Sequence, residues 1–162
     1  QTVADAFEAL QDELPRLGLP GYEISNYARP GEASRHNLRY WERRPYLGLG
    51  PSAASHLGRW RWTEAHRISA WIEGRGHVDL QELTPDDELT EIPLLGLRLH
   101  RGVNWRALRD RATLWDRLER IEAWEAQLHP FQEHGLLLWE GDHLRLTPRG
   151  MAVSNGILRV FL

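Results

Sequence analysis

Apolar side chains recur at spacings of four, three, four and three positions over the first 17 residues. These residues are Val3, Phe7, Leu10, Leu14 and Leu17. Such spacing places them on one face of an amphipathic helix, and Gly18 is a suitable residue to end it. The next segment, 21–25, predicts a short strand. A helix followed by a strand is half of a repeating α/β unit, so the chain opens as an α/β protein.

A second helix and a second strand follow. Ser34 can cap a helix over residues 35–43, and Pro45 ends it. Residues 46–50 predict a strand that enters a turn at 51–54. Two strands need neighbours to form a stable sheet. We therefore expect residues 1–60 to be the end of a larger α/β domain.

The pattern changes near residue 60, and residues 61–162 predict a mainly helical second domain. Its strongest helix start is Thr84, where a hydroxyl cap, Pro85 and three acids suit the positive end of the helix dipole. The other elements predicted are a short helix at 66–71, helices at 105–112 and 116–135 capped by Asn104 and Asp116, a hairpin at 136–139 and 143–146, and a last helix from Thr147. This order is that of a winged-helix unit, so the fold class is α/β followed by α+β.

The composition of the chain excludes several kinds of functional site. The chain of 162 residues contains no Cys, which excludes disulfides, thiolate zinc sites, Cys nucleophiles and Cys-ligated iron–sulfur clusters within it. No apolar run approaches the ~18 residues of a membrane span, and no charged-then-apolar leader is present, so we expect a cytoplasmic protein. Because the sequence begins with Gln1, we also expect a piece of a longer protein.

The net charge of −3 conceals an uneven distribution. Residues 33–77 carry eight Arg against three acids, together with Trp41, Trp60, Trp62 and Trp71. Arginine with aromatic rings suits a planar or anionic partner. The alternative is that Arg replaces Lys throughout, as the absence of Lys allows, and that the Trp residues belong to the core.

The segment 34–41, SRHNLRYW, carries the most specific candidate chemistry. On a helix, His36 and Tyr40 lie one turn apart, and Asn37 and Trp41 form the next ridge. An imidazole can ligate haem iron, aromatic rings can pack against the macrocycle, and Arg can pair with its propionates. The alternative is a histidine at a helix start that bonds to backbone, with Tyr40 and Trp41 in the core.

A glycine-rich turn follows the second predicted strand. It contains Gly48, Gly50 and Ala53. Such a turn lets a ligand approach backbone N–H groups, although packing explains both glycines equally well.

Seven strings in this order resemble one family: YEISNYARPG, SRHNLRYW, YLGLGPSA, LTPDDELTE, GLRL, GLL and LRLTPRG. It is the family of oxygen-independent coproporphyrinogen III oxidase-like radical S-adenosylmethionine proteins, and in particular its haem-chaperone branch. The resemblance runs from about residue 19 to the end and covers only the family's C-terminal half. It implies the last strands and helices of a partial (β/α)6 barrel over 1–60, followed by the family's winged-helix-like C-terminal domain over 61–162.

The resemblance also implies roles for individual residues. The family's HNxxYW haem-binding motif matches His36, Asn37, Tyr40 and Trp41, with His36 as ligand of the haem iron or as the point of covalent attachment. The family's GxGxxA turn, at the edge of the S-adenosylmethionine pocket, matches Gly48, Gly50 and Ala53. The ligands of the family's [4Fe-4S] cluster lie in a part that this chain lacks. Two departures stand out, since the family's GPGAHS is here GPSAAS: Ser52 would narrow the turn, and Ala54 replaces a His.

The function implied for the intact protein is haem binding and transfer to haem-requiring target proteins, membrane-associated haem enzymes among them. The alternative is the decarboxylation of coproporphyrinogen III to protoporphyrinogen IX, for which the family's enzymes usually lack the HNxxYW string. A third possibility is a winged-helix module that binds a partner protein or an anionic ligand. We expect no nucleic-acid binding, because residues 116–134 carry two Arg against five acids. The chain by itself should perform no radical chemistry.

Overall fold

A computed structural model of the chain describes residues 3–162, without the side chains of Val3, Ala4 and Glu8. The predicted inward position of Val3 therefore lies outside the described residues. The helices are α1 (Val3–Arg16), α2 (Arg35–Trp41), α3 (Ile68–Ile72), α4 (Pro85–Gly96), α5 (Trp105–Leu114), α6 (Leu118–Glu133), α7 (Pro148–Ala152) and α8 (Ser154–Leu158). The strands are β1 (Gly21–Glu23), β2 (Asn26–Tyr27), β3 (Ala54–Leu57), β4 (Trp60–Glu64), β5 (His77–Glu82), β6 (Val103–Asn104), β7 (Leu137–Glu140) and β8 (His143–Leu146).

The described residues fall into two compact units. The larger unit joins the segment up to Glu42 with Leu89–Leu162, and the smaller unit is Arg43–Glu88. The mixture of helices and strands confirms the expected α/β character of the chain. This division follows packing in space and leaves the boundary expected between residues 60 and 61 as a prediction.

The larger unit has an apolar core surrounded by α4 to α8 and a three-stranded sheet in the order β6–β8–β7. Its largest side chains are rings: Phe161 lies 5.2 Å from Trp124 and 6.3 Å from Trp105, centroid to centroid. The antiparallel pair β7–β8 is the hairpin predicted from the sequence. Burial of aromatic rings of this size contributes much of the stability of such a core.

Three of the predicted helix caps, Thr84, Asn104 and Thr147, lie where the sequence places them. The Thr84 hydroxyl accepts from Asp87 N at 3.1 Å while Asp87 accepts in return from Thr84 N. Asn104 caps α5 through Ala107 N, and Thr147 caps α7 through Gly150 N. The predicted cap Asp116 is wrong, because Asp116 adopts a φ of 57° and α6 begins one residue later than that cap requires. The last helix is also interrupted, at Val153.

The smaller unit is built on the antiparallel sheet β3–β4–β5, which the sequence analysis missed. The strand predicted at 46–50 is wrong: only Tyr46 forms a bridge, to His56. Leu47 and Leu49 are 65% and 91% exposed, so their apolar alternation marks no buried face. Arg43 and Glu88, the first and last residues of this unit, form a nearly buried ion pair, with 3.4 Å between Nη1 and Oε2.

Candidate functional site

Helix α2 begins where the sequence predicts and ends two residues earlier than expected. The hydroxyl of Ser34 accepts a hydrogen bond from Asn37 N at 3.3 Å, which satisfies one of the free N–H groups of the first turn. Glu42 terminates the helix, and its backbone N–H bonds to Leu38 O. With seven residues, α2 has two turns and presents two neighbouring ridges of side chains.

The first ridge pairs an exposed histidine with a half-buried tyrosine. His36 is exposed, and its ring stands edge-on to Tyr40, with centroids 4.8 Å apart and an angle of 80° between planes. Within the described residues neither ring nitrogen of His36 has a hydrogen-bond partner, so the alternative of an imidazole tied to backbone is not what the structure shows. This edge-on contact is a favourable geometry for two aromatic rings, and it restricts the rotation of the imidazole.

The second ridge anchors α2 to the body of the larger unit. Asn37 Nδ2 donates to the hydroxyl of Tyr22 at 3.4 Å. The guanidinium of Arg98 lies over the indole of Trp41, 4.6 Å from the ring centroid, in a cation–π contact. The motif residues thus divide into an outward pair, His36 with Tyr40, and an inward pair, Asn37 with Trp41.

The partners of the inward pair come from two segments that run side by side. Ile24 N bonds to Arg98 O at 2.9 Å, and His100 N bonds to Tyr22 O at 3.1 Å. These bonds extend β1 into an antiparallel pairing with residues 98–100, which brings the Tyr22 and Arg98 side chains to α2. The sequence analysis named the strings that contain both residues but gave neither a role.

Several buried polar atoms around this pairing lack hydrogen-bond partners within the described residues. They are Trp41 Nε1, Arg98 Nε, His100 Nε2 and Tyr27 OH. Because a buried polar group without a partner costs about 1–3 kcal/mol, such a concentration is typical of a site that tolerates strain for function.

Burial shifts the pKa values of two of these groups, His100 and Tyr27. Burial lowers the pKa of His100 below its ordinary 6.5, with Glu23 opposing the change and Arg145 adding to it. Burial also raises the pKa of the Tyr27 hydroxyl, reinforced by the charge of Glu23. Glu23 is itself fully buried and accepts from Ser25 N at 3.0 Å and from Asn26 Nδ2. His100 and Tyr27 are therefore neutral near pH 7.

The predicted glycine turn belongs to the smaller unit. Gly48 donates its N–H to Ser55 Oγ at 3.0 Å, and a Cβ there would collide with Ala54 O, so this glycine serves packing. Gly50 differs, because its φ is 111° and the space beside its Cα is open. Ala53 N bonds back to Gly50 O at 3.2 Å and closes the turn.

Of the two departures from the family's turn, Ser52 has the clearer consequence. It adopts a φ of 62°, a conformation that glycine adopts without strain, and its hydroxyl lies 3.1 Å from His66 Nδ1. Ala54, where the family has His, is exposed at the start of β3.

The chain offers no ligands for an iron–sulfur cluster. Its sequence contains no Cys, and the described residues contain no group of three or more His, Asp or Glu side chains placed to hold a metal ion. The residues present therefore do not fit a [4Fe-4S] cluster. Among the described residues, no helix is long and apolar enough to cross a membrane.

Comparison with known proteins finds that the chain is similar to haem-related proteins. Residues 83–153 match the family described as HemN C-terminal domain. The chain is 32% identical to the haem chaperone HemW of Mycobacterium tuberculosis over 99% of its own length and 39% of that protein. It is 36% identical to the HemW of Synechocystis over 65% of this chain and 27% of that protein.

A solved structure supports the same assignment at the level of fold. The coproporphyrinogen III oxidase HemN of Escherichia coli, described as a radical SAM enzyme, matches 97% of this chain and 40% of its own with a TM-score of 0.72. Sequence identity in that match is 16%, so it shows a shared fold alone. The chain spans between about a quarter and two fifths of the length of these relatives.

These findings confirm the resemblance recognised from the sequence, to the oxygen-independent coproporphyrinogen III oxidase-like radical S-adenosylmethionine proteins, over a part that includes the HemN C-terminal domain. Within that family, relatives named haem chaperone HemW match across the chain and mark the branch to which it is similar.

Proposed function

We propose that this chain is the haem-binding C-terminal part of a haem chaperone, with His36 as the ligand of the haem iron. The observation that carries the proposal is the division of α2 into two ridges. The outward ridge offers an exposed imidazole steadied by Tyr40, while the inward ridge is fixed by Tyr22 and Arg98. A neutral imidazole is a common ligand of haem iron, and its surroundings need to hold its ring in place.

The exposure of His36 suits haem as cargo. A macrocycle held on one face of a surface helix leaves its other face open to an acceptor protein. Arg35, exposed in the first turn of α2, and Arg39 one turn later supply guanidinium groups for the propionates. We propose haem-requiring proteins, membrane-associated haem enzymes among them, as acceptors, and the cytoplasm as the location.

We propose the remaining parts of the family's architecture from the order of the elements and from the shared fold. The order of α4, α5 and α6 with the sheet β6–β8–β7 supports a winged-helix-like domain over 61–162. For residues 1–60 we propose the end of the radical S-adenosylmethionine barrel, on the shared fold with HemN. Gly50, with its open backbone, is the best candidate for the edge of the S-adenosylmethionine pocket, ahead of Gly48 and Ala53.

Titration with haem tests the proposed function. The His36→Ala variant should lose the shift of the Soret band that ligation by imidazole produces, because the iron loses its nitrogen ligand at α2. His129→Ala is the matched control: His129 is an exposed helical histidine on α6, and its loss should leave that shift unchanged. An unchanged titration of the His36→Ala variant would remove His36 as the ligand.

The decarboxylase alternative is tested with the full-length protein. Because this chain has no cluster ligand, the radical step depends on residues outside it. We expect no formation of protoporphyrinogen IX by the full-length protein with S-adenosylmethionine and a reductant, while an active coproporphyrinogen oxidase serves as the positive control. Sustained turnover would favour the enzyme.

A further inference from the structure

Two indoles of the smaller unit line an open apolar pocket of about 320 Å³ on one face of its sheet. The lining residues are Leu57, Trp60, Trp62, His77 and Leu80. Leu57 and Trp60 pair directly across β3 and β4, and Trp62 follows two residues later on β4, so these three side chains share one face. The volume and the apolar lining are typical of pockets that bind small organic ligands.

A β-bulge brings the third strand into the pocket. Opposite residues 61–63 of β4, strand β5 has one residue more, and Asp79 there adopts a φ of 54°. Without the extra residue, His77 and Leu80 would point to opposite faces of the sheet, because strand side chains alternate. The bulge places both on the face that carries the indoles, a use of bulges that is typical near functional sites.

A carboxylate is attached to one wall of the pocket. Glu64 Oε1 accepts from Trp62 Nε1 at 3.2 Å and lies 3.2 Å from His77 Nδ1. Within the part of the chain that the structure describes, no arginine pairs with Glu64, and a hydrogen bond from a neutral imidazole leaves its negative charge in place. The Glu64 side chain is 18% exposed, so water and salt screen this charge less than they screen a charge on the surface.

The spacing of the indoles suits a cation between them. Neighbouring positions on one face of a strand are about 6.6–6.8 Å apart, so a cation between Trp60 and Trp62 can lie within about 6 Å of both rings, the range of a cation–π contact. The hydrogen bond to Glu64 polarises the indole of Trp62 and makes its face more attractive to a cation. A neutral ligand of the same shape gains neither interaction.

We propose that this pocket, which we call the indole pocket, binds the quaternary ammonium group of a small organic cation. Its surface is almost entirely apolar, so an ammonium group with N–H donors would lose hydrogen bonds to water that the lining does not replace. A trimethylammonium group carries its charge behind methyl groups, which pack against Leu57, Leu80 and the two indoles. None of the lining residues belongs to the HNxxYW motif, so the inference does not depend on the proposed function.

Choline and its tert-butyl analogue, in which carbon replaces the charged nitrogen, separate charge from apolar burial. In isothermal titration calorimetry, this chain should bind choline about 10-fold or more tightly than the analogue, because only choline gains the attraction of the rings and of Glu64. Equal affinity for the two compounds, or no binding of choline, would overturn the proposal.

An aromatic-to-aliphatic substitution tests the contribution of the indole faces. Trp60→Leu keeps an apolar wall and removes a ring, so it should weaken choline about 5-fold and change the affinity for the analogue less than about twofold. Trp71→Leu is the matched control, since Trp71 is similarly exposed in the same unit and does not line the pocket. Losses of equal size for choline and the analogue would contradict a cation–π contact.

A second substitution removes the charge without removing the hydrogen bonds. Glu64→Gln keeps an oxygen acceptor for Trp62 and should weaken choline about 5-fold, with the analogue unaffected. Glu82→Gln is its control: Glu82 lies opposite Trp60 on β5, and Arg59 already pairs with it at 3.4 Å. Circular dichroism checks that both variants fold. A Glu64→Gln chain that binds choline as the parent does would overturn the role of the carboxylate.

Vesicles distinguish a soluble ligand from a lipid headgroup with the same ammonium group. The chain should bind free choline and should not sediment with phosphatidylcholine vesicles, because the proposed ligand is a small molecule. Sedimentation that Trp60→Leu abolishes, without binding of free choline, would overturn the small-molecule assignment.

Discussion

The side chains of α2 form two ridges with different surroundings. His36 is exposed and contacts the half-buried Tyr40, while Asn37 and Trp41 contact Tyr22 and Arg98 in the larger unit. The spacing of the motif predicted the two ridges, because residues four apart share a helix face. It could not predict which ridge faces inward, since that depends on residues more than ten positions away in β1 and after α4.

The ring of Tyr40 should matter more for haem binding than its hydroxyl. Tyr40→Ala removes the edge-on contact with His36. It should weaken haem binding about 5-fold, since such ring pairs contribute about 0.5–1.5 kcal/mol. Tyr40→Phe keeps the ring and should remain within about twofold of the parent chain. Equal losses in the two variants, measured by haem titration, would show that the ring contact does not position the imidazole.

His100 should make the stability of the larger unit depend on pH. Burial lowers its pKa below 6.5 in the folded chain, so below that pH the unfolded chain binds more protons. The free energy of unfolding should therefore fall as the pH drops from 7 towards 5. Urea titrations at both pH values should show a smaller fall for His100→Asn than for the parent chain. A fall of equal size in the two proteins would contradict this role of His100.

Helix ends were the most predictable elements, and isolated strands the least. Thr84, Asn104 and Thr147 all cap helices because a hydroxyl or amide oxygen satisfies free N–H groups locally. Local chemistry of that kind is visible in the sequence. The sheet β3–β4–β5 was missed although Trp60 and Trp62 alternate with polar residues, whereas the alternation at 46–50 lies in an exposed segment.

The turn that leads into β6 depends on Gly102. Its φ is 73°, and a Cβ there would collide with the backbone of Leu144 on β8. Gly102→Ala should therefore lower the free energy of unfolding by about 2–4 kcal/mol, from strain and collision together. Gly141→Ala at a φ of 59° with open space should cost only about 1–2 kcal/mol. Urea unfolding of both variants measures the difference, and equal losses would contradict the close approach of the turn to β8.

The chain as a whole places its candidate chemistry in its basic, aromatic middle. Residues 33–77 hold the HNxxYW motif and the glycine turn. The sequence predicted a planar or anionic partner for this segment, and the proposed function assigns haem to it. Composition could not predict that the Trp residues serve two different units, since that depends on how the chain packs.

Resonance Raman spectroscopy of ferrous haem bound to this chain tests the central assignment most directly. The account predicts an iron–histidine stretching band that shifts when the histidines carry ¹⁵N and that disappears when His36→Ala is added. A band that persists without His36, or a spectrum insensitive to the label, would contradict the account.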